Sequence, residues 1–337
     1  MRTLDRTTHR GLWSALPTPW TSDGALDEGV IAENVTRLAE SGCVDGIYTT
    51  DSDGEFYAIE LDMFQKIARA FGRALEGASP SSPSPGVPGE GEERVIDAAI
   101  GVTWCNTRGV MDRIKAACDA GIPNVHVAFP FFMPLAKSDV DRFFDDLATA
   151  VPQARWIHYA HARTLPTLTS SDYNRLSKRF PDQLIGTKLS AVDQTQLAEI
   201  ILGSPPLAHF VVDPIMLHGM MLGARGCCSY WVNTLPRWQR RYMDACQANR
   251  WEEARQFHEK LIRWELAHIA PLRAAGHLHG IISKARAALT NFLADSGYTQ
   301  PPYYPIPDAM MAELKCAFDQ YWAEEAQAER ELQETAT

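Results

Sequence analysis

Short runs of apolar residues alternate along the chain with longer stretches in which the apolar positions follow a helical spacing. Val35, Leu38 and Ala39 in the first of these stretches would share one face of a helix, and the apolar runs have the length of buried strands. Candidate strands cover residues 12–16, 46–50, 95–101, 124–129, 155–159, 184–188, 208–212 and 226–229. Strands alternating with helices are typical of a parallel sheet with crossover helices. Eight such units predict an α/β fold, a TIM (β/α)8 barrel.

The predicted barrel occupies residues 11–235 and is followed by a helical pattern over residues 236–330. We expect this C-terminal region to pack on the barrel, with helix breaks near Pro271, Gly280 and Pro301. Residues 77–93 form a low-complexity segment of proline, serine and glycine that cannot bury enough apolar surface to order itself. This segment follows a predicted helix and precedes a strand. It should therefore be a floppy insertion on the barrel face opposite the C-terminal ends of the strands.

Net charge and cysteine content indicate which partners and which cellular compartment to expect. A formal net charge of −10 argues against a nucleic-acid partner, because phosphate binding needs a basic face. Seven cysteines without a Cys-x-x-Cys spacing favour reduced thiols in a cytoplasmic protein. The first ten residues lack an apolar signal core, and no run approaches the roughly 20 apolar residues of a membrane helix. We therefore expect a cytoplasmic protein with no membrane partner.

A lysine and a tyrosine close two successive candidate strands. Tyr159 ends the run over residues 154–159, and Lys188 ends the run over residues 184–188. Because catalytic groups of such barrels lie at the C-terminal ends of the strands, we expect these two side chains to share a pocket. Burial penalises an ammonium, so the lysine should be a neutral amine that can attack a carbonyl group. The phenol could then relay the protons of iminium formation. The pair predicts a Schiff-base enzyme.

Three motifs in the expected order resemble those of the dihydrodipicolinate synthase / N-acetylneuraminate lyase family. That family carries Gly-Thr/Ser-Thr-Gly-Glu after its second strand, a tyrosine after its fifth and Gly-x-Lys after its sixth. The corresponding residues here are Asp51-Ser52-Asp53-Gly54-Glu55, Tyr159 and Gly186-Thr187-Lys188. Weaker similarities at residues 15–24, 222–233, 284–285 and 301–302 extend the resemblance over roughly residues 11–307.

The resemblance implies a class I lyase of this barrel fold that acts on a small 2-oxo acid without a cofactor or metal. Lys188 would be the nucleophile and Tyr159 the proton relay. Ser52, Asp53 and Gly54 would hold the substrate carboxylate through a hydroxyl group and turn amides. Arg163, after the fifth strand, would contact a second carboxylate, and Cys228 on the last strand would line the substrate site. The family also implies a homo-oligomer, a dimer or a tetramer.

Two departures from the family motifs affect the expected activity. Asp53 stands in place of a threonine and Asp51 in place of the leading glycine. An inward, ionised Asp53 would repel the carboxylate of a 2-oxo acid by roughly 4 kcal/mol at contact distance. It would not do so if it turns away, is protonated, or meets a substrate hydroxyl or amine. Phe131 and Phe132 replace a tyrosine pair, and their lack of hydroxyl groups argues against the lysine-pathway synthase.

These departures leave several activities open. The sequence favours a pyruvate-type aldolase or a 3-deoxy sugar-acid dehydratase. A catalytically altered barrel that only binds small molecules, and an imino-acid deaminase or hydratase using the same lysine, are the alternatives. His158 and His161 do not predict a metal site, since positions three apart on a strand face opposite sides; His161 could help recognise a substrate. His277 and His279 are expected at the surface.

Overall fold

The computed structural model describes residues 1–78, 96–190, 192–294 and 297–335. Of the predicted insertion at residues 77–93, only the first two residues lie within these ranges. Gly77 is the last residue of a helix, and Ala78 caps it by donating its amide hydrogen to the carbonyl of Ala74. Residues 79–93, and with them the expected floppy loop, lie outside the described residues.

Eight parallel strands form a closed barrel in the order β1 to β8, each paired with its neighbours in sequence and β8 with β1. The strands are β1 (Gly11–Ala15), β2 (Gly46–Thr49), β3 (Asp97–Gly101), β4 (Asn124–Val127), β5 (Arg155–Ala160), β6 (Leu184–Leu189), β7 (Ala208–Val212) and β8 (Gly226–Ser229). The TIM barrel is therefore confirmed. The strand bounds differ from the predicted ones by at most two residues at each end.

Helices follow the strands as the apolar spacing predicts. They are α1 (Glu28–Glu40), α2 (Leu61–Gly77), α3 (Thr107–Asp119), α4 (Lys137–Ala150), α5 (Ser170–Arg179), α6 (Gln194–Gly203), α7 (Met216–Met221), α8 (Pro236–Gln247), α9 (Trp251–Trp264), α10 (Ala270–Ala274), α11 (His279–Ala287), α12 (Asp308–Tyr321) and α13 (Ala323–Thr335). Side chains cap several starts: Asp27 accepts from the Val30 amide at α1, and Asp193 accepts from the Gln196 amide at α6. Such caps stabilise a helix by about 1 kcal/mol each.

The register of β5 and β6 brings the two predicted catalytic residues together. Tyr159 pairs with Lys188 across the two strands, so both side chains leave the barrel wall at the same level. Positions directly opposite each other on adjacent strands point to the same side of the sheet. The expectation that the phenol and the amine end side by side is met.

The C-terminal helices α8, α9 and α12 meet the segment after β8 in a shared aromatic core. Trp231, Trp264 and Trp322 are fully buried and contact one another, with ring centroids 5.4 to 6.4 Å apart. A π-helix, Glu265–Ile269, connects α9 to α10, close to the break predicted at Pro271. Single π-turns inside helices occur frequently at functional sites. This core packs the ends of α9 and α12 against the segment after β8.

The break predicted near Gly280 is confirmed, because residues 275–278 separate α10 from α11, and Gly280 itself is the second residue of α11. A Cβ atom there would lie 2.8 Å from the Glu55 Cγ atom and 2.9 Å from the Ser52 carbonyl oxygen. The residue is small because α11 packs directly on the turn that follows β2, not because the chain bends. Gly280 thus lets a C-terminal helix reach the catalytic end of the barrel.

Candidate active site

The Lys188 side chain lies inside the barrel and is almost completely buried. Its ammonium nitrogen is 4.2 Å from the ring centroids of both Tyr48 and Tyr159. It donates hydrogen bonds to the Tyr48 hydroxyl at 3.1 Å and to Asp51 Oδ2 at 2.8 Å. The lysine is therefore surrounded by two aromatic faces and one carboxylate. Of these neighbours, the sequence indicated only Tyr159.

Asp51 is the neighbour that decides the charge of the lysine. Its Oδ2 atom also lies 2.6 Å from His126 Nδ1, and neither Asp51 nor His126 is exposed to solvent. Burial lowers the pKa of Lys188, but Asp51 and then Tyr159 oppose this effect, and the resulting pKa lies above the ordinary value. The predicted neutral amine was therefore wrong for the resting site. A carboxylate at hydrogen-bonding distance outweighs the desolvation of the ammonium.

Asp51 occupies space that the end of β3 leaves open. A Cβ atom at Gly101 would lie 2.2 Å from Asp51 Oδ1 and 2.7 Å from the Thr50 carbonyl oxygen. Oδ1 has no hydrogen-bond partner among the described residues. Burial raises the pKa of Asp51, but Lys188 and His126 outweigh it and hold the pKa below its ordinary range. The pair therefore consists of an ammonium and a carboxylate.

Tyr159 begins a chain of hydrogen-bonding groups that leads toward the cavity. Its hydroxyl lies 3.1 Å from Ser52 Oγ, which lies 3.3 Å from His161 Nε2. Burial raises the pKa of Tyr159, although Lys188 opposes the rise, so the phenol is neutral at physiological pH. Burial lowers the pKa of His161 to about 4, so this imidazole is neutral and can accept a proton. These groups can pass a proton between the Tyr159 hydroxyl and the half-buried histidine.

The turn after β2 presents backbone donors next to this chain. The amide groups of Gly54 and Phe56 both donate to the Asp51 carbonyl, which closes the turn. A Cβ at Gly54 would lie 2.5 Å from the Thr50 nitrogen, so a glycine is needed there. The amides of Ser52 and Asp53 have no acceptor among the described residues. Two adjacent free amides form a site suited to an anion.

The carboxylate of Asp53 is held by α11. Its Oδ1 atom accepts a hydrogen bond from Ser283 Oγ and lies 3.2 Å from His279 Nε2. Burial alone would raise the pKa of Asp53, but His279 and Lys188 outweigh this effect and lower the pKa to about 2. Asp53 is thus ionised, and its partners lie on a C-terminal helix. The surface position expected for His279 was wrong, because this side chain lines the cavity.

Glu55 fastens the same turn to the rest of the molecule. This residue adopts a left-handed backbone conformation with φ of 60°. Its carboxylate lies 2.9 Å from Lys284 Nζ and accepts from Trp20 Nε1 and from the Gln300 amide, both at 3.1 Å. The ion pair is buried on both sides. Glu55 therefore contacts three segments of the chain, which hold the turn in place.

A cavity of about 290 Å³ opens above Lys188. Its lining includes residues from the barrel and from the C-terminal helices: Tyr48, Ser52, Asp53, Tyr159, His161, Ala162, Lys188, Ser190, Val212, Pro214, Cys228, Tyr230, Arg273 and His279. Its volume is close to the lower end of the roughly 300 to 1,000 Å³ usual for ligand pockets. Among the described ranges, no group of three or more His, Cys, Asp and Glu side chains could hold a metal ion.

Of the two further residues predicted to contact the substrate, Cys228 lies at the cavity and Arg163 does not. Cys228 lines the cavity, and burial raises the pKa of its thiol to about 12, so it is a neutral wall residue. Arg163 is exposed and is not among the lining residues; Arg273 from α10 is the arginine that reaches the cavity. The exposed Phe132 and the half-buried Phe131 also lie outside the lining, and Phe131 packs on Phe56 at 5.5 Å.

A parallel eight-stranded barrel with a buried lysine beside a tyrosine, both in a cavity at the C-terminal ends of the strands, defines a candidate Schiff-base enzyme. The model of the dihydrodipicolinate synthetase family matches residues 94–319. The chain belongs to this family and is an enzyme of the lyase type.

Individual relatives cover most of the chain at low identity. A 4-hydroxy-tetrahydrodipicolinate synthase of Porphyromonas gingivalis is 25% identical over 77% of this chain and 81% of its own length. An N-acetylneuraminate lyase of Clostridium perfringens is 21% identical over 91% of this chain and 97% of its own. The crystal structure of Escherichia coli YagE, a family member in complex with pyruvate, superposes with a TM-score of 0.79 at 21% identity, covering 93% and 98% of the two chains.

Because the identities are low, these relatives establish the fold and the family but not the substrate. In the described part of the chain, no helix has the length and apolar character needed to cross a bilayer. Assembly into a dimer or tetramer and a cytoplasmic location stay predictions.

Proposed function

We propose that the protein is a lyase that forms a Schiff base between Lys188 and the keto group of a 2-oxo acid. The observation that supports this most directly is the position of the Lys188 ammonium nitrogen. It lies at the cavity wall between the Tyr159 ring and the Asp51 carboxylate. A nucleophilic amine needs a group that removes its proton and a group that protonates the departing hydroxyl. Both kinds of group surround this nitrogen.

The turn after β2 is the proposed site for the carboxylate of the 2-oxo acid. The free amides of Ser52 and Asp53 and the Ser52 hydroxyl provide donors beside Tyr159. The Asp53 side chain, which the sequence identified as a source of repulsion, is engaged by Ser283 and His279. Its charge is thus partly compensated, and the backbone donors of the turn remain available to an anion.

Asp51 is the proposed proton acceptor for Lys188. Formation of an iminium from an ammonium and a ketone releases one water molecule and no net proton. The proton that the ammonium gives to Asp51 can therefore return to the hydroxyl that leaves as water. The 2.8 Å contact allows this exchange inside a site that excludes solvent. A raised lysine pKa then does not prevent attack, because the proton stays within the pair.

The iminium provides the electron sink for bond cleavage. In a retro-aldol reaction the bond between C3 and C4 breaks, its electron pair forms an enamine, and the C4 hydroxyl loses its proton. Tyr159, Ser52 and His161 form the proposed route for that proton. Loss of water from a 3-deoxy sugar acid would start from the same iminium. The protein is proposed to act as an aldolase or dehydratase of this kind.

Reduction with borohydride in the presence of pyruvate tests the proposal. Mass spectrometry should find a reduced pyruvyl group on Lys188 in the wild type and none in Lys188→Met. Tyr159→Phe should still form the adduct but turn over about 10²- to 10⁴-fold more slowly, the usual contribution of general acid–base catalysis.

Lys178→Met is a matched control, because Lys178 is exposed on α5. It should form the adduct as the wild type does. If a broad panel of 2-oxo acids leaves Lys188 unmodified, the Schiff-base mechanism is refuted. Release of ammonia without pyruvate would instead identify the deaminase that the sequence left open.

A further inference from the structure

One cation on the cavity wall has no part in the chemistry proposed at Lys188. Arg273 on α10 and Lys188 are the lysine and arginine side chains found among the described residues that line the cavity. The Arg273 side chain is 41% exposed, whereas its partner Glu265 is 5% exposed. The guanidinium group therefore borders the cavity while the carboxylate that holds it is buried.

A shared carboxylate leaves positive charge on this wall. Glu265 Oε2 accepts from Arg273 Nη2 at 3.0 Å, and Oε1 accepts from Arg286 Nη2 at 2.6 Å and from Trp231 Nε1 at 2.9 Å. Burial raises the pKa of Glu265, but Arg286 and Arg273 outweigh it and keep the carboxylate ionised. One negative charge thus faces two guanidinium groups. The cluster carries a net charge of about one positive unit.

Arg273 has donors left for a ligand. Within the described parts of the chain, the hydrogen bond to Glu265 is the one its side chain makes. A guanidinium group presents five donors in a planar fork that matches a carboxylate with two parallel hydrogen bonds. The single net charge suits a carboxylate better than a phosphate dianion. The anionic Asp53, on the same cavity, is already paired with His279 and would direct a second anion toward Arg273.

We propose that Arg273 binds a carboxylate at the far end of the substrate, so that the enzyme cleaves 4-hydroxy-2-oxo dicarboxylic acids. This inference rests on the proposed function. Cleavage of the C3–C4 bond gives an aldehyde that carries the distal carboxylate. The enamine on Lys188 takes a proton at C3, and water hydrolyses the iminium to pyruvate. The reaction needs no oxidant, reductant or further reactant.

Aldol addition of pyruvate to matched aldehydes tests the role of Arg273. Glyoxylate is compared with glycolaldehyde, and succinic semialdehyde with butanal. In each pair only the first aldehyde carries a carboxylate, and the second pair has the longer carbon chain. The wild type should favour the carboxylated member of at least one pair. Arg273→Gln should lower kcat/KM for that member by about 10- to 100-fold, the range for a hydrogen bond to a charged group. The neutral member should change by less than twofold.

Two further variants make the outcome decisive. Arg273→Lys keeps the charge and the pairing with Glu265 but loses the fork, and it should give an intermediate loss. Arg163→Gln changes the exposed arginine and should leave the preference intact. An unchanged preference in Arg273→Gln, or a lost preference in Arg163→Gln, would overturn the assignment. Borohydride trapping of pyruvate on Lys188 should persist in Arg273→Gln, whereas failure of trapping in the wild type would refute the proposed function itself.

Discussion

Asp51 changes the charge state expected for Lys188. A buried lysine alone would lose its proton, because the ammonium is desolvated. The carboxylate at 2.8 Å reverses this effect and stores the proton within the pair. Tyr48 and His126 complete the enclosure from β2 and β4. At the scale of the residue, the proposed catalytic unit is thus an ion pair and not a lone amine.

Asp51→Asn should lower the pKa of Lys188, since burial is then opposed by fewer charges. It should also slow imine formation with pyruvate by about 10²-fold or more, because the proton acceptor is lost. Single-turnover borohydride trapping across a pH series measures both effects. The variant's rate should acquire an acid limb at the new lysine pKa. Asp182→Asn, at an exposed position, is the control; a trapping rate equal to that of wild type in Asp51→Asn would exclude the proposed role.

At the scale of the element, one buried carboxylate, that of Asp213, connects the segment after β7 to its neighbours. Asp213 accepts hydrogen bonds from the amides of Tyr230 and Trp231 and from Gln239 Nε2, at 2.9, 3.3 and 2.7 Å. It therefore joins the short 3₁₀ turn Asp213–Ile215 to the segment after β8 and to α8. Burial raises its pKa from 3.8 to about 7, despite these donors. The folded protein thus binds this proton more tightly than the unfolded chain does.

The contribution of Asp213 to the stability of the wild type should consequently fall as pH rises from about 4 to about 7. A carboxyl group whose pKa is raised in the folded state stabilises the protein fully at pH values below its pKa in the unfolded chain. This stabilisation is lost as the pH rises through its pKa in the folded protein. Asp213→Asn should remove this dependence, a difference of roughly 4 kcal/mol between the two pH limits. Gln239 Oε1 lacks a partner in the described structure and could accept from the new amide. Urea unfolding of both proteins at several pH values measures this; parallel curves would contradict it.

At the scale of the whole molecule, the C-terminal helices complete the site. α11 supplies Ser283 and His279 to Asp53 and Lys284 to Glu55, and α10 supplies Arg273 to the cavity. The barrel alone would leave two buried carboxylates on the turn after β2 without these partners. The helical region is therefore part of the catalytic end and not an addition to a finished domain.

Lys284→Met should lower the free energy of unfolding by about 3 to 5 kcal/mol, because Glu55 would remain buried and charged without its partner. Lys315→Met, which breaks an exposed pair with Asp319, should change it by less than about 0.5 kcal/mol. The double variant Lys284→Met/Glu55→Gln should recover part of the loss, since a neutral amide leaves no unpaired charge. Urea denaturation gives all three values. Equal losses in the single and double variants would contradict the ion-pair explanation.

Several features of the site could be predicted from sequence because they depend on local pattern. The strand ends set the level of Tyr159 and Lys188, and the turn after β2 was recognisable from Gly54 and Glu55. The sequence showed that Asp51 departs from the family motif. Its contact with Lys188 could not be predicted, because the two residues are more than a hundred positions apart. Neither hydrophobic period nor spacing reports which side chains meet across a barrel. For the same reason Arg273 was not identified and His279 was expected at the surface, since helical patterning in the C-terminal region gave no indication of which helix faces the cavity.

The sequence by itself determined the barrel, the order of its strands and the pairing of a phenol with an amine, because the alternation of buried strands and amphipathic helices is a local property of the chain. Only the tertiary structure decided the charge of that amine and the partners of Asp53. A pKa depends on every charge within a few ångströms, and those charges come from β2, β4 and α11, which are distant in sequence. The chemistry of the site was therefore set by long-range contacts built on a fold that local patterns had already specified.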